Sequence, residues 1–231
     1  MIKILKLICT FFILVIAFFV GHQSSAFLAS QKEVTPAKKP CIVLDAGHGG
    51  EDPGKVAANG TLEKDINLSI CLKLAPLLEA QGFEVILTRT KDLSVFSSDA
   101  GFQKREDLQA RVSIIAAATP LFCISIHQNS YPQESVSGPQ VFHYSTSNDS
   151  KTLAQYLQQK LNTAASFSQP RTIKANNDYF LLRKTTVPTV IVECGFLSNP
   201  SECERLTQED YQQQLCEAIV AGILCYTDCK D

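Results

Sequence analysis

The chain has 231 residues, nine of them cysteine, with 21 basic and 23 acidic side chains and a formal net charge of −2. Loss of a leader over residues 1–26 would remove Lys3 and Lys6 and no acid, leaving 19 basic residues and a net charge of −4. So mildly acidic a chain carries no nucleic-acid footprint, and no internal repeat is visible.

Lys3 and Lys6 precede Leu7 to Val20, a run of fourteen residues without a charge. A bilayer-spanning helix needs about 20. Ser24-Ser25-Ala26 fits a signal-peptidase site, with Ala29 as a second choice. The protein is therefore expected to be exported, to the periplasm, with an uncleaved inner-membrane anchor as the alternative. Residues 31–40 are polar with two prolines, and 27–40 read as a linker. Residues 41–231 are long enough for one domain with a substantial core.

That domain opens with Cys41-Ile42-Val43-Leu44, which reads as a buried strand of a parallel sheet. Asp45-Ala46-Gly47-His48-Gly49-Gly50 follows, and its glycines let the backbone turn sharply, aiming His48 into the crevice at the strand's end. The turn is neither the dinucleotide fingerprint nor a P-loop. A helix is expected over 62–80, on Leu62, Ile66, Ile70, Leu74, Leu77 and Leu78, with Pro76 kinking it or interrupting its hydrogen bonds. Glu63 falls in its first turn, where the helix dipole alone favours a carboxylate.

Further strands are expected near 83–88, 121–126, 139–144, 179–182 and 189–193, and further helices near 104–118, 149–164 and 208–226. Leu121 to Ile126 is a second strand ending in an imidazole, His127. Thr189 to Val192 ends in Glu193, a carboxylate whose burial costs free energy unless it is paired or near a cation. His143 alternates with Phe142 and Tyr144 and reads as a plain strand residue. The alternation of strands and helices gives an α/β fold: one domain with a mostly parallel six-stranded sheet flanked by helices on both faces. Two histidines and a carboxylate can hold one zinc ion and leave its fourth position for water, whose proton a second carboxylate can take.

Laid in order, the motifs resemble the zinc-dependent N-acetylmuramoyl-L-alanine amidases. The stretch Asp45 to Gly54 is followed by Thr61-Leu62-Glu63-Lys64-Asp65-Ile66-Asn67-Leu68, Thr88-Arg89-Thr90-Lys91-Asp92 and Leu108 with Arg111. Ser125-Ile126-His127-Gln128-Asn129 and Val192-Glu193-Cys194-Gly195-Phe196-Leu197-Ser198-Asn199 complete it, so the match runs from about Cys41 to Tyr226. The resemblance implies Zn2+ held by His48, Glu63 and His127, with Glu193 as general base and then acid, and Asp65 structural or solvated. It implies hydrolysis of the amide between N-acetylmuramic acid and L-alanine in peptidoglycan or muropeptides, with roles in cell-wall remodelling and cell separation. It leaves room for a divisome or activator protein as partner of an expected monomer. Only 65 residues separate His127 from Glu193, too few for an added inhibitory helix, so a site open without an activator is expected.

Rival classes fare less well. No G-x-S-x-G or S-x-x-K occurs, and Lys184-Thr185-Thr186 is a faint echo of K-T-G. A non-catalytic cell-wall binding protein would typically lack Glu193 or a metal ligand. A disulfide-bonded envelope protein would use the eight cysteines left after Cys9 goes with the leader, with Cys194–Cys203 or Cys225–Cys229 as pairs. Most of the cysteines sit where an apolar residue would serve, so buried thiols are the plainer expectation, and none shows C-x-x-C spacing.

Overall fold

The computed structural model describes residues 4, 8, 10–18, 39–96, 101–165 and 170–229. The expected cleavage site, nearly all of the linker, Cys9 and His22 lie outside the described residues. Residues 10–18 are helical, in a unit separate from Lys39–Asp231. Among the described residues no helix is long and apolar enough to cross a membrane.

The second unit is built on strands β1 (Cys41–Ala46), β2 (Glu84–Leu87), β3 (Phe122–Asn129), β4 (Gln140–His143), β5 (Lys174–Ala175) and β6 (Thr189–Phe196). They form one sheet in the order β2-β1-β3-β6-β4-β5, parallel throughout except for the antiparallel β4–β6 pair. The helices are α1 (Glu63–Ala80), α2 (Lys104–Ala118), α3 (Asn148–Ala165), α4 (Phe180–Lys184), α5 (Pro200–Leu206) and α6 (Glu209–Asp228).

Strand side chains alternate between faces, which sorts the sheet into two environments. Ile42, Leu44, Ile124, Ile126, Val190 and Val192 are fully buried on the face covered by α1, α3 and α6. Each such side chain contributes about 1.5–3 kcal/mol relative to leaving it exposed. Leu215, Ile219, Gly222 and Ile223 line the inner face of α6, as their spacing predicts. A Cβ on Gly222 would stand 2.9 Å from the Leu157 Cα, so α3 and α6 approach almost to backbone contact there. On the opposite face Val43 and Cys123 pack with Ile115 of α2 and Leu181 of α4. That face also carries Asp45, Ser125, His127 and Glu193, and it holds the site.

One expectation needs correcting. Residues 179–182 are not a strand: the Asn176 side chain accepts from Asp178 N (2.8 Å) and Tyr179 N (2.9 Å), a local turn that launches α4 at Phe180. The sixth strand is the short β5, paired in parallel with Phe142 and His143. Helix α1 runs from Glu63 through Pro76 to Ala80, within the expected bounds of 62–80. Helix α5 was unforeseen, although Asn199 caps it by accepting from Glu202 N at 2.9 Å and Pro200 follows at its first turn. Cys194 and Cys203 are buried thiols that do not pair with each other, nor do Cys225 and Cys229, and Cys41, Cys71, Cys123 and Cys216 are buried as apolar residues would be.

Candidate metal centre

The site lies at the carboxyl ends of β1, β3 and β6, where open α/β sheets place their ligands. His48 enters from the turn after β1, with φ of 62°, a left-handed conformation costing a non-glycine residue on the order of 1–3 kcal/mol. Surrounding bonds impose it. Arg111 donates to the carbonyls of Ala46 (2.8 Å) and His48 (2.7 Å), and Arg89 to those of Ala46 (2.9 Å) and Gly47 (3.0 Å). Arg111 is itself fixed by Asp45 (2.7 Å) and Asp107 (2.8 Å), all three buried. Gly47 admits the second histidine, because a Cβ there would fall 2.3 Å from the His127 ring.

Glu63, the first residue of α1, sits between the two imidazoles. Its Oε1 is 2.9 Å from His127 Nδ1 and 3.3 Å from His48 Nε2. Backbone amides complete the cradle: Gln128 N donates to Oε1 (3.0 Å) and Lys55 N to Oε2 (2.8 Å). Although burial opposes it, the bonds from His127 and His48 hold the Glu63 carboxyl well below the usual carboxylate range. Asp52 takes the far nitrogen of His48, with Oδ2 2.8 Å from Nδ1. A carboxylate there fixes the orientation of the ring, with Nε2 facing the Glu63 carboxylate.

His48, Glu63 and His127 offer three ligand atoms within 4.8 Å of one another, the one such group among the described residues. Their spacing suits an ion: bonds of about 2.0–2.1 Å in a tetrahedral zinc site put neighbouring ligand atoms about 3.4 Å apart, and His48 Nε2 and Glu63 Oε1 already stand at 3.3 Å.

Glu193 is the register partner of His127 across β3 and β6, so both side chains leave the same face side by side. It is buried, and its Oε2 has no hydrogen-bond partner among the described residues. Burial pushes its carboxyl up to about 7, with the negative charge of Glu63 adding and the two histidines opposing. Tyr179 hydrogen-bonds it, and burial together with the negative charge of Glu193 lifts the phenol to about 12, so it remains a donor at neutral pH. The cleft over these residues encloses about 360 Å³ and is lined beyond them by Lys104, Leu108, Phe180 and Leu181.

All four residues singled out in the sequence converge here. His143 does not: it is buried in β4 beside the Tyr144 carbonyl. Asp65 is exposed. Sequence reasoning did not foresee the parts played by Asp52, Tyr179 and the two arginines. Asp52 lay inside the quoted motif, four residues beyond His48, but nothing in its spacing marked it as that histidine's partner.

Two imidazoles and a carboxylate at the carboxyl edge of an α/β sheet, with a further buried carboxyl alongside, form a donor set that could hold a metal ion and serve a hydrolase. A family model described as N-acetylmuramoyl-L-alanine amidase matches residues 42–225, and the chain belongs to that family, whose members hydrolyse an amide bond of peptidoglycan. The germination-specific N-acetylmuramoyl-L-alanine amidase of Bacillus subtilis is 36% identical over 194 residues, 83% of this chain and 81% of that protein. The CwlD amidase of Clostridioides difficile, solved in complex with the GerS lipoprotein, superposes with a TM-score of 0.79 at 39% identity, covering 82% of this chain and 99% of that one. An N-acetylmuramoyl-L-alanine amidase of Clostridium difficile 630 gives 0.75 at 32% identity, covering 84% and 99%.

Proposed function

We propose that His48, Glu63 and His127 hold one zinc ion and that Glu193 is the proton carrier in hydrolysis of the amide between the lactyl group of N-acetylmuramic acid and L-alanine. The observation that carries the reading is the buried Glu193 carboxyl, whose Oε2 has no partner among the described residues and which strand register holds beside the three-ligand cluster. When bound, zinc would lower the pKa of a water to about 7 and polarise the scissile carbonyl.

The chain's own residues supply the rest. Glu193 accepts a proton from the attacking water and returns it to the departing amine of L-alanine, so the amine leaves neutral. A carboxyl raised by burial suits both directions of transfer near neutral pH. Tyr179 orients that carboxyl. Asp52, Gln128 N and Lys55 N keep His48 and Glu63 aimed before any ligand arrives.

The apolar run at 7–20 supports export of the chain to peptidoglycan outside the inner membrane, with residues 1–26 as leader. We also propose activity without a partner protein. The long helix between His127 and Glu193, α3, is docked on α6 across the sheet from the site. Digestion of purified muropeptides by the zinc-loaded protein, followed by mass analysis, should give free stem peptides beginning with L-alanine and peptide-free muramyl sugars. Cleavage within the stem peptide, or an inert protein containing one equivalent of zinc, would overturn the reading.

A further inference from the structure

A second groove opens beside the metal cleft and shares Lys55 and Ser130 with it. It encloses about 540 Å³, more than the cleft itself, and its walls include Val56, Asn59, Tyr131 and Ser198. Tyr131 is 53% exposed and Val56 47%, an aromatic and an aliphatic side chain both left open to solvent at one depression. The walls are ordered. Tyr131 N donates to Ser198 Oγ at 2.9 Å, tying the segment after β3 to the segment after β6. Asn59 Oδ1 accepts from Thr61 N (3.1 Å) and from the Cys203 thiol (3.7 Å), which fixes its amide in the groove.

The two compartments differ in chemistry. The only charged residues of the groove, Lys55 and Glu134, are opposite in sign, and the rest of its lining is neutral: hydroxyl, amide, aromatic and small apolar groups. Beyond the metal-binding cluster the cleft is instead lined by Lys104, 3.9 Å from Asp52, and by the apolar side chains of Leu108, Phe180 and Leu181. A substrate cut at the junction of sugar and peptide has two arms of matching character. Its peptide arm carries carboxylates and methyl groups; its glycan arm is neutral, with hydroxyl and acetamido groups around sugar rings whose C–H faces stack on aromatic rings.

We infer that the groove lined by Val56, Asn59, Tyr131 and Ser198 is a glycan subsite, which receives the N-acetylmuramic acid side of the substrate and sets a preference for sugar-linked over sugar-free stems. The inference rests on the amidase reading of the neighbouring cleft. Tyr131 stacks on a pyranose face, and Asn59 and Ser198 bond its hydroxyl and acetamido groups. A pocket of a few placed polar groups on an apolar floor orients a ligand in this way.

The test compares two substrates with the same scissile bond: a muramoyl peptide, and the D-lactoyl peptide left after alkaline β-elimination removes its sugar. For the zinc-loaded protein kcat/KM should favour the muramoyl peptide by about tenfold or more. Tyr131→Ala should lower it by about tenfold on that substrate, the scale of one lost aromatic contact, and by less than twofold on the lactoyl peptide. In parallel, a peptide-free glycan titrated into Glu193→Ala protein should bind, and Tyr131→Ala in that background should abolish binding. Equal use of both substrates by the unmodified protein, or an equal loss on both in Tyr131→Ala, would overturn the subsite. Failure to cleave either substrate while glycan still binds would instead overturn the amidase reading and leave a saccharide-binding groove.

Discussion

His127 and Glu193 are paired in register on adjacent parallel strands, and that pairing decides how the two glutamates divide the work. Glu63 is ringed by polar hydrogens, from His127 Nδ1, the backbone amides of Gln128 and Lys55 and the Asn67 side-chain amide, with His48 Nε2 at 3.3 Å. Glu193 has an oxygen with none. On the proposed assignment Glu193→Ala keeps its zinc while hydrolysis of the muramoyl–alanine bond falls by roughly 10²–10⁴-fold, the range for a lost general acid–base group. Glu63→Ala should lose zinc and regain part of its activity in excess zinc. Zinc titration and a muropeptide digest, run side by side, check both, and loss of metal from Glu193→Ala with retention in Glu63→Ala would exchange the roles.

The Asp52 carboxylate stands 2.8 Å from His48 Nδ1, on the side away from the cluster. Asp52→Ala should weaken zinc binding by about 10–100-fold, the usual effect of removing a partner that orients a ligating histidine. Competition with a chromogenic chelator measures this directly. Unchanged affinity would mean that the left-handed turn at His48 alone aims the ring.

The sequence made most of the fold legible because it alternates long apolar strands with helices of clear 3.6-residue spacing. Its faces were harder to read. The central strands are buried on both sides, so apolar residues fill both parities, and a few polar residues such as Asp45, Ser125, His127 and Glu193 mark the site face. Tyr179-Phe180-Leu181-Leu182 was misread because a short apolar run does not distinguish strand from helix. The Asn176 side chain settles it by starting a turn, and that bond is not visible in a hydrophobic pattern. The four site residues were found through the motifs that carry the resemblance; in the structure β3 and β6 run on past His127 and Glu193 to Asn129 and Phe196. Tyr179 was not found, because α4 brings it to Glu193 only after folding.

Gly222 offers a check on packing remote from the chemistry. A Cβ there would meet the Leu157 Cα and Cδ2 at 2.9 Å, and backbone is hard to displace. Gly222→Ala should therefore destabilise the protein by about 1–3 kcal/mol through overpacking, despite the better helix propensity of alanine. Urea denaturation measures the loss, and activity at low temperature should be unaffected. A stabilised variant would show that α3 and α6 can separate freely.

The buried Asp45–Arg111 pair should give the metal-free protein an acid-labile component of stability. Burial opposes ionisation of Asp45, but Arg111 and the hydroxyls of Ser125 (2.6 Å) and Thr88 (2.8 Å) outweigh it and hold the carboxyl below its ordinary value. A depressed pKa means that the unfolded chain binds the proton more readily. The stabilisation is thus complete above the unfolded value of about 3.9 and is lost as pH falls through the lower, folded one. Arg111→Met removes the compensating charge and strands Asp45 in the core, a change that costs about 3–5 kcal/mol at neutral pH. At pH 3 the stranded carboxyl is protonated, and the variant should then lie much closer to the unmodified protein. Urea unfolding of both proteins in chelator, at pH 7 and pH 3, reads the difference. A gap of the same size at both pH values would mean that Arg111 acts only through the Ala46 and His48 carbonyls, and that its charge contributes nothing to holding the turn.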